Sequence, residues 1–441
     1  MKKNKSGFTL IELLAVIAIL AIILVISIPK ILDVIETSKI NTLKNAVKLI
    51  ADSAEKKYTE NEAFGEEEEI TCDSVSKLNK EDYNKCTIIF DENGIAKVSI
   101  LGRGKFKGLK VIEATKTSAE VIKLEAPKYG ITAVEYINGL YEYYGDSYNL
   151  KIDNTKDQNV RYYGANPNNY VSFNNELWRI IGVFGNNVKL IRSEKLGTLS
   201  WDSSESSVNG GDGINQWGES TYEDGTSYPG SDLMQYLNKM YYGGDTTITC
   251  YGSANNTTTT CPKDSKGNFL TIDETSKKLI DNHTWNTGAI KISESTDTLL
   301  FYNAERGMVS GKSSCSDGDN CNDTVERTTT WTGYIALPYV TDYAYASNES
   351  ICEINMLAQD SSNTYICRSN NWIYSKYNVW YLAPYAAFGF ANSSFFIHAN
   401  GKLLNRIVSA DYNVFPSIYL KSNVIIESGN GSESNPYMLK L

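Results

Sequence analysis

The chain has 441 residues, about three times the ~150-residue prior for one domain, so two or three folded units are expected. Hydrophobic residues at 41% and aromatics at 11% exclude a disordered chain. A net charge of -10, from 52 acidic against 42 basic residues, disfavours a general nucleic-acid binder or a protein held on anionic lipid.

Residues 1–30 read MKKNKSG and then FTLIELLAVIAILAIILVISIPK. Lys2, Lys3 and Lys5 form a cationic head, and across 8–28 only Thr9, Glu12 and Ser27 are polar. As a helix those residues span about 31 Å, the thickness of a bilayer core, with the lysines on the cytoplasmic side. A secretory signal has a shorter apolar run and a small-residue cut site. Here the run is longer, and no Ala-x-Ala follows it. Glu12 is the anomaly, because a carboxylate within a membrane helix costs about 3 kcal/mol or more and reads as functional, in need of a partner. The plainer alternative is an anchor whose Glu12 snorkels toward the lysines, where the helix dipole also favours it.

Beyond Pro29 the helix should continue to about residue 60, with Pro29 kinking or locally melting it and Gly65 as a stop. Leu43, Val47, Ile50 and Ala54 repeat at i, i+4, i+7 and i+11, an amphipathic stripe. The four glutamates at 66–69 read as a solvated loop. Thr87–Phe90 and Ile95–Ile100 flank Asn93-Gly94, a hairpin signal, and Leu109–Ile112 and Ala119–Ile122 supply two more strands. Three or four antiparallel strands on a helix make a small α+β head.

Composition then shifts: 2 of 30 tyrosines lie before residue 128, and all seven tryptophans lie at or beyond 178. The expected division is a leader at 1–7, a long helix at 8–60 with 8–28 in the membrane, and a sheet head at 61–127. A linker with a short helix around 131–144 follows at 128–160, then a C-terminal surface or binding module at 161–441. That module is expected to be β-rich α+β. Residues 169–184 alternate in strand fashion around Asn174-Asn175, and Val188–Ile191 follows as a further strand. Ser231–Leu237 and Glu274–His283 read as short helices with polar starts.

The eight cysteines, at 72, 86, 250, 261, 315, 321, 352 and 367, form four neighbour pairs separated by 14, 11, 6 and 15 positions. The even, locally paired count indicates disulfides formed outside the cytosol, with buried free thiols as the alternative. No gap has the Cys-x2-4-Cys spacing of zinc sites, and pairing by nearest neighbour is one choice among about 105. The two histidines, His283 and His398, leave little material for a His-rich metal site or a His-based triad. Asp317, Asp319 and Asp323, around Cys315–Cys321, offer oxygen ligands for calcium, but without EF-hand order, and an acidic solvated loop is the simpler reading. No other cofactor is implied. Trp201, Trp217, Trp331, Trp372 and Tyr385 could stack on sugar faces or dock a protein, although most tryptophans belong in cores. There is no Walker motif for an assembly motor, and Leu337–Thr341 lacks the context of a sortase signal.

Lys5-Ser6-Gly7-Phe8-Thr9-Leu10-Ile11-Glu12-Leu13-Leu14 closely resembles the class III signal of type IV prepilins and pseudopilins. The resemblance implies that a prepilin peptidase cuts after Gly7 and methylates the amine of Phe8. It also implies that Glu12 and Pro29 serve fibre assembly. A neighbouring subunit's Phe8 amine would meet the buried Glu12 carboxylate, neutralising two charges and setting axial register.

Residues 379–385, 391–401 and 414–420 resemble closing strands of C-type-lectin-like modules related to formylglycine-generating enzymes. The calcium triplets Glu-Pro-Asn and Gln-Pro-Asp are missing, and no cysteine follows Cys367, so neither calcium-dependent sugar binding nor enzymatic chemistry is carried over. The expectation is a non-enzymatic type IV pilus subunit, minor or tip-placed, whose C-terminal domain mediates adhesion or partner binding. Its alternatives are a major pilin with a decorative domain and a pseudopilin of a secretion or DNA-uptake system. The implied partners are other pilins through residues 8–60, the prepilin peptidase, the assembly platform and an unknown surface ligand. The implied location is the cytoplasmic membrane, single-pass with the N-terminus inside, and then the extracellular pilus.

Overall fold

The structure is a computed structural model that describes residues 10–65, 68–76, 78–203, 215–221, 225, 227–252, 258–289, 297–307, 328–347, 352, 361–386 and 392–441. The chain divides into two compact units, the first running to Ala126 and taking in Glu142–Tyr144, the second comprising Pro127–Tyr141 and Gly145–Leu441.

In the first unit, α1 (Leu10–Phe64) is one helix of 55 residues, about 82 Å at 1.5 Å per residue. It runs through Pro29 without interruption, so the proline removes one N–H from the ladder but does not melt the helix. Gly65, at φ +66°, ends it in the left-handed conformation that glycine adopts without a Cβ penalty. The strands β1 (Tyr83–Phe90), β2 (Ala96–Gly102), β3 (Leu109–Ala114) and β4 (Val121–Lys123) form an antiparallel meander in chain order. The β1–β2 turn contains Gly94 at φ +73°, as Asn-Gly foretold. Leu43, Val47, Ile50, Ala51 and Ala54 of α1 share a core with Ala96, Val98 and Ile100 of β2 and Leu109 and Val111 of β3. Helical spacing on one side and strand alternation on the other bring those two faces together.

The second unit begins at Pro127 and takes in most of the stretch expected to be a linker. α2 (Ala133–Tyr144) opens with a Thr132/Glu135 capping box and buries Tyr136, Ile137 and Leu140. Ala133 N donates to Val424 O at 2.7 Å, and Tyr136 packs edge-on against Tyr437. Residues 128–160 are therefore packed structure, continued by β5 (Leu150–Ile152) and β6 (Val160–Tyr162).

The main sheet is built on β7 (Tyr170–Phe173), β8 (Glu176–Phe184) and β9 (Asn187–Arg192). Asn174 and Asn175, at φ 55° and 56°, form the β7–β8 turn, a conformation asparagine tolerates better than most residues. From one edge the sheet runs 335–336, 417–419, β9, β8, β7, 437–440 and 425–428. β7 covers part of the free edge of β8, and β6 covers the rest through Val160↔Val183 and Arg161↔Gly182. Gly182 permits that approach: a Cβ there would lie 2.3 Å from Val160 O. A second sheet orders 197–200, 411–414, 379–384, 393–397 and 403–407, over a core containing Phe301, Tyr343, Tyr381 and Phe395.

Two helices expected from sequence are altered. Ser231 caps a helix that is α over Asp232–Gln235 and widens to π geometry over Tyr236–Tyr242. In the other, Asp273 accepts from Thr275 N and Ser276 N to cap a helix of only Glu274–Lys277. His283–Asn286 is instead a strand paired with Thr330–Gly333, where cross-strand pairing of Trp285 with Trp331 wins over helical continuation.

The main sheet also carries a buried ionic network. Arg161 donates from Nε to Asp153 Oδ2 at 2.6 Å and from Nη1 to Asp342 Oδ1 at 2.8 Å. Lys189 Nζ reaches Asp342 Oδ2 at 2.6 Å, with both side chains at 0% exposure. Asp342 lies in the short helix Val340–Tyr345, so the network ties β6 and β9 to that helix. Glu305, also buried, accepts from Thr341 Oγ1 at 2.8 Å. Burial pushes its carboxyl up to about 7, against the opposing pull of Arg306 and Thr341.

Candidate functional site

Two features stand out as surfaces for work outside the fold. One is the first half of α1. From Leu10 to Ile35 its described large apolar side chains remain exposed, Ile11 at 78% and Val25 at 72%. The most apolar part has a mean hydropathy of 2.8 and buries nothing within the chain. Such an all-round apolar helix is stable only in lipid or among other apolar helices. From Leu43 onward one face is buried, so α1 changes character where its sequence passes from uniform to amphipathic. Glu12 and Pro29 both lie in the first half of the helix, whereas Gly7 and Phe8 fall outside the described residues.

The other is a cleft of 660 Å³ in the second unit, walled by the β7–β8–β9 region and the 372–377 loop. Cross-strand register sets Tyr170 opposite Arg179. The Arg179 guanidinium lies between two rings, 4.3 Å from the Tyr170 centroid and 4.6 Å from that of Trp372. Its Nε donates to Asn169 Oδ1 at 2.8 Å and its Nη2 to Pro167 O at 3.2 Å. Burial lowers its pKa to about 10, and stacking plus neutral acceptors hold the cation in place. On the same wall Arg192 Nε pairs with Glu176 at 2.6 Å. Tyr374, Tyr377 and Phe415 complete an aromatic lining with Lys376 and Glu433 among them. The cleft thus offers flat apolar faces beside both signs of charge, a surface suited to binding a ligand or partner.

The five aromatic candidates separate. Trp372 lines this cleft, its Nε1 donating to Tyr162 O at 2.9 Å. Trp201 and Trp217 are fully buried and pack edge-on, ring centroids 5.1 Å apart, so they build core. Trp331 is buried, with Nε1 donating to Glu219 at 3.0 Å. Tyr385 is half-buried against Phe395. Cys72–Cys86, Cys250–Cys261 and Cys352–Cys367 are disulfides. Cys315, Cys321, Asp317, Asp319 and Asp323 lie outside the described residues. Sequence reading missed Arg179. Its signal was the alternation of residues 169–184, which fixes Arg179 opposite Tyr170, but nothing local announces that Trp372 closes over it.

Residues 2–28 match the prokaryotic N-terminal methylation motif. No curated protein and no solved structure matches the chain, so the C-type-lectin-like resemblance of the closing strands gains no support. The motif, with the apolar helix behind it, supports a type IV pilin-like or pseudopilin-type protein, and the family that carries the motif is structural rather than enzymatic. It implies processing by prepilin peptidase, assembly with other pilins, and a route from membrane anchor to surface fibre.

Proposed function

We propose that this chain is a type IV pilus subunit, minor or tip-placed, cut after Gly7 and methylated on Phe8, whose second unit binds a surface or partner protein. The observation that carries the reading is the pairing, in one chain, of a methylation motif on an exposed apolar helix with a unit extending to Leu441. That unit is far larger than fibre packing requires. Glu12 sets axial register by accepting the neighbouring subunit's terminal amine, since two opposite charges in hydrocarbon are tolerable only together. The aromatic and charged lining of the Arg179–Trp372 cleft supports placing the binding surface there. Quantifying the chain against other pilins in sheared fibres tests the placement: scarcity is expected, and dominance would make it the main fibre subunit.

A further inference from the structure

The Lys189–Asp342 contact is a buried ion pair that sets an amine nitrogen against a carboxyl group. Both side chains are at 0% exposure, with Nζ 2.6 Å from Oδ2, so the nitrogen is held against the carboxyl group it would attack. An ammonium has three N–H donors, and among the described residues Lys189 makes one hydrogen bond, to Asp342. Aromatic rings also face it, with Tyr339 at 3.6 Å, Trp285 at 5.2 Å and Tyr419 at 5.3 Å from Nζ to centroid. Burial beside a single acceptor disfavours a full charge on nitrogen, against the attraction of the rings. The electrophile is better supplied. Asp342 Oδ1 accepts from Arg161 Nη1 at 2.8 Å and Oδ2 from Tyr339 N at 2.9 Å, so a donor is aimed at each carboxyl oxygen.

We propose that Lys189 and Asp342 condense into an intramolecular isopeptide bond. For the bond to form, a proton passes along the Nζ–Oδ2 hydrogen bond, giving the neutral amine and carboxylic acid that the condensation consumes. Nζ attacks Cγ, and Arg161 and the Tyr339 N–H hold the negative oxygen that forms, as fixed donors do in acyl transfer. The Nζ–Cγ bond forms and one Cγ–O bond breaks. That oxygen leaves as water with two of the three ammonium protons, and the third stays on the amide nitrogen, so no other reactant is needed. The product removes two buried charges and leaves Arg161 paired with Asp153, 2.6 Å away. Burial already lowers the Lys189 ammonium to about 8. Burial alone would raise the Asp342 carboxyl, but Lys189 and Arg161 hold it below the usual range. The bond would fasten β9 to the helix of residues 340–345, a covalent tie between the main sheet and that helix in a subunit exposed to pulling.

The test is tryptic mapping by mass spectrometry of the full-length chain after reduction and alkylation. A linked Lys189 is not cleaved, so residues 180–192 should be found joined to residues 328–368, lighter than the two peptides by one water. In Lys189→Met the two peptides should separate at their full masses. Recovery from wild type of a peptide ending at Lys189, with 328–368 unmodified, would overturn the proposal and leave a non-covalent pair. So would persistence of the water loss in the variant. The wild-type map decides even if Lys189→Met does not fold.

Discussion

Replacing Ile50 by alanine tests whether α1 supplies the core of the first unit. Ile50 is 3% exposed and shares that core with β2 and β3, whereas its neighbour Leu49 is 67% exposed. Ile→Ala removes three carbons at about 0.8 kcal/mol each and leaves a cavity, for a total of about 2–4 kcal/mol. Leu49→Ala should cost under about 0.5 kcal/mol. Tryptophan fluorescence is silent here, because all seven tryptophans lie at or beyond residue 178. Amide hydrogen exchange of the full chain in detergent is the suitable assay. Protection at Val98, Ile100 and Val111 should fall by about 30- to 1,000-fold in Ile50→Ala and stay near wild type in Leu49→Ala. Equal protection in the two variants would refute the assignment of the 43–54 stripe to the core.

Two further outcomes follow from the charged groups. Glu305 has a pKa raised from 4.5 to about 7, so its neutral form stabilises the folded state at low pH, and that contribution is lost as pH rises from 4.5 to about 7. The full linkage is worth about 3 kcal/mol, with His283 opposing it because burial depresses its pKa. Urea midpoints of Glu305→Gln, followed by tryptophan fluorescence, should lose this decline, and a slope identical to wild type would remove Glu305 as its source. Glu12→Ala should insert in the membrane as wild type does yet assemble few or no fibres by electron microscopy. Normal fibres from that variant would sink the register role.

Local pattern made the first unit readable. The stripe Leu43, Val47, Ile50 and Ala54, the Asn93-Gly94 turn and the Cys72–Cys86 pair each depend on residues close in sequence, and each lies where its period or turn chemistry puts it. The same held for Asn174-Asn175 and for two more neighbour disulfides. What failed to show in sequence depends on distant partners. Glu274–His283 has a helical start, but pairing with residues near 331 turns its end into a strand. Residues 128–160 look like a join, yet α2 is held by Val424 and Tyr437. Lys189 meets an aspartate 153 positions away, and no periodicity encodes that meeting. The cleft was half legible: Trp372 could be named from composition, but its stacking on Arg179 required the fold.

The central claim is that this chain is a processed fibre subunit, and the mass of the N-terminal peptide in sheared surface fibres tests it most directly. The expected species begins at N-methylated Phe8 and is present at low stoichiometry beside another pilin. A chain that keeps Met1 and remains in the membrane fraction would contradict it.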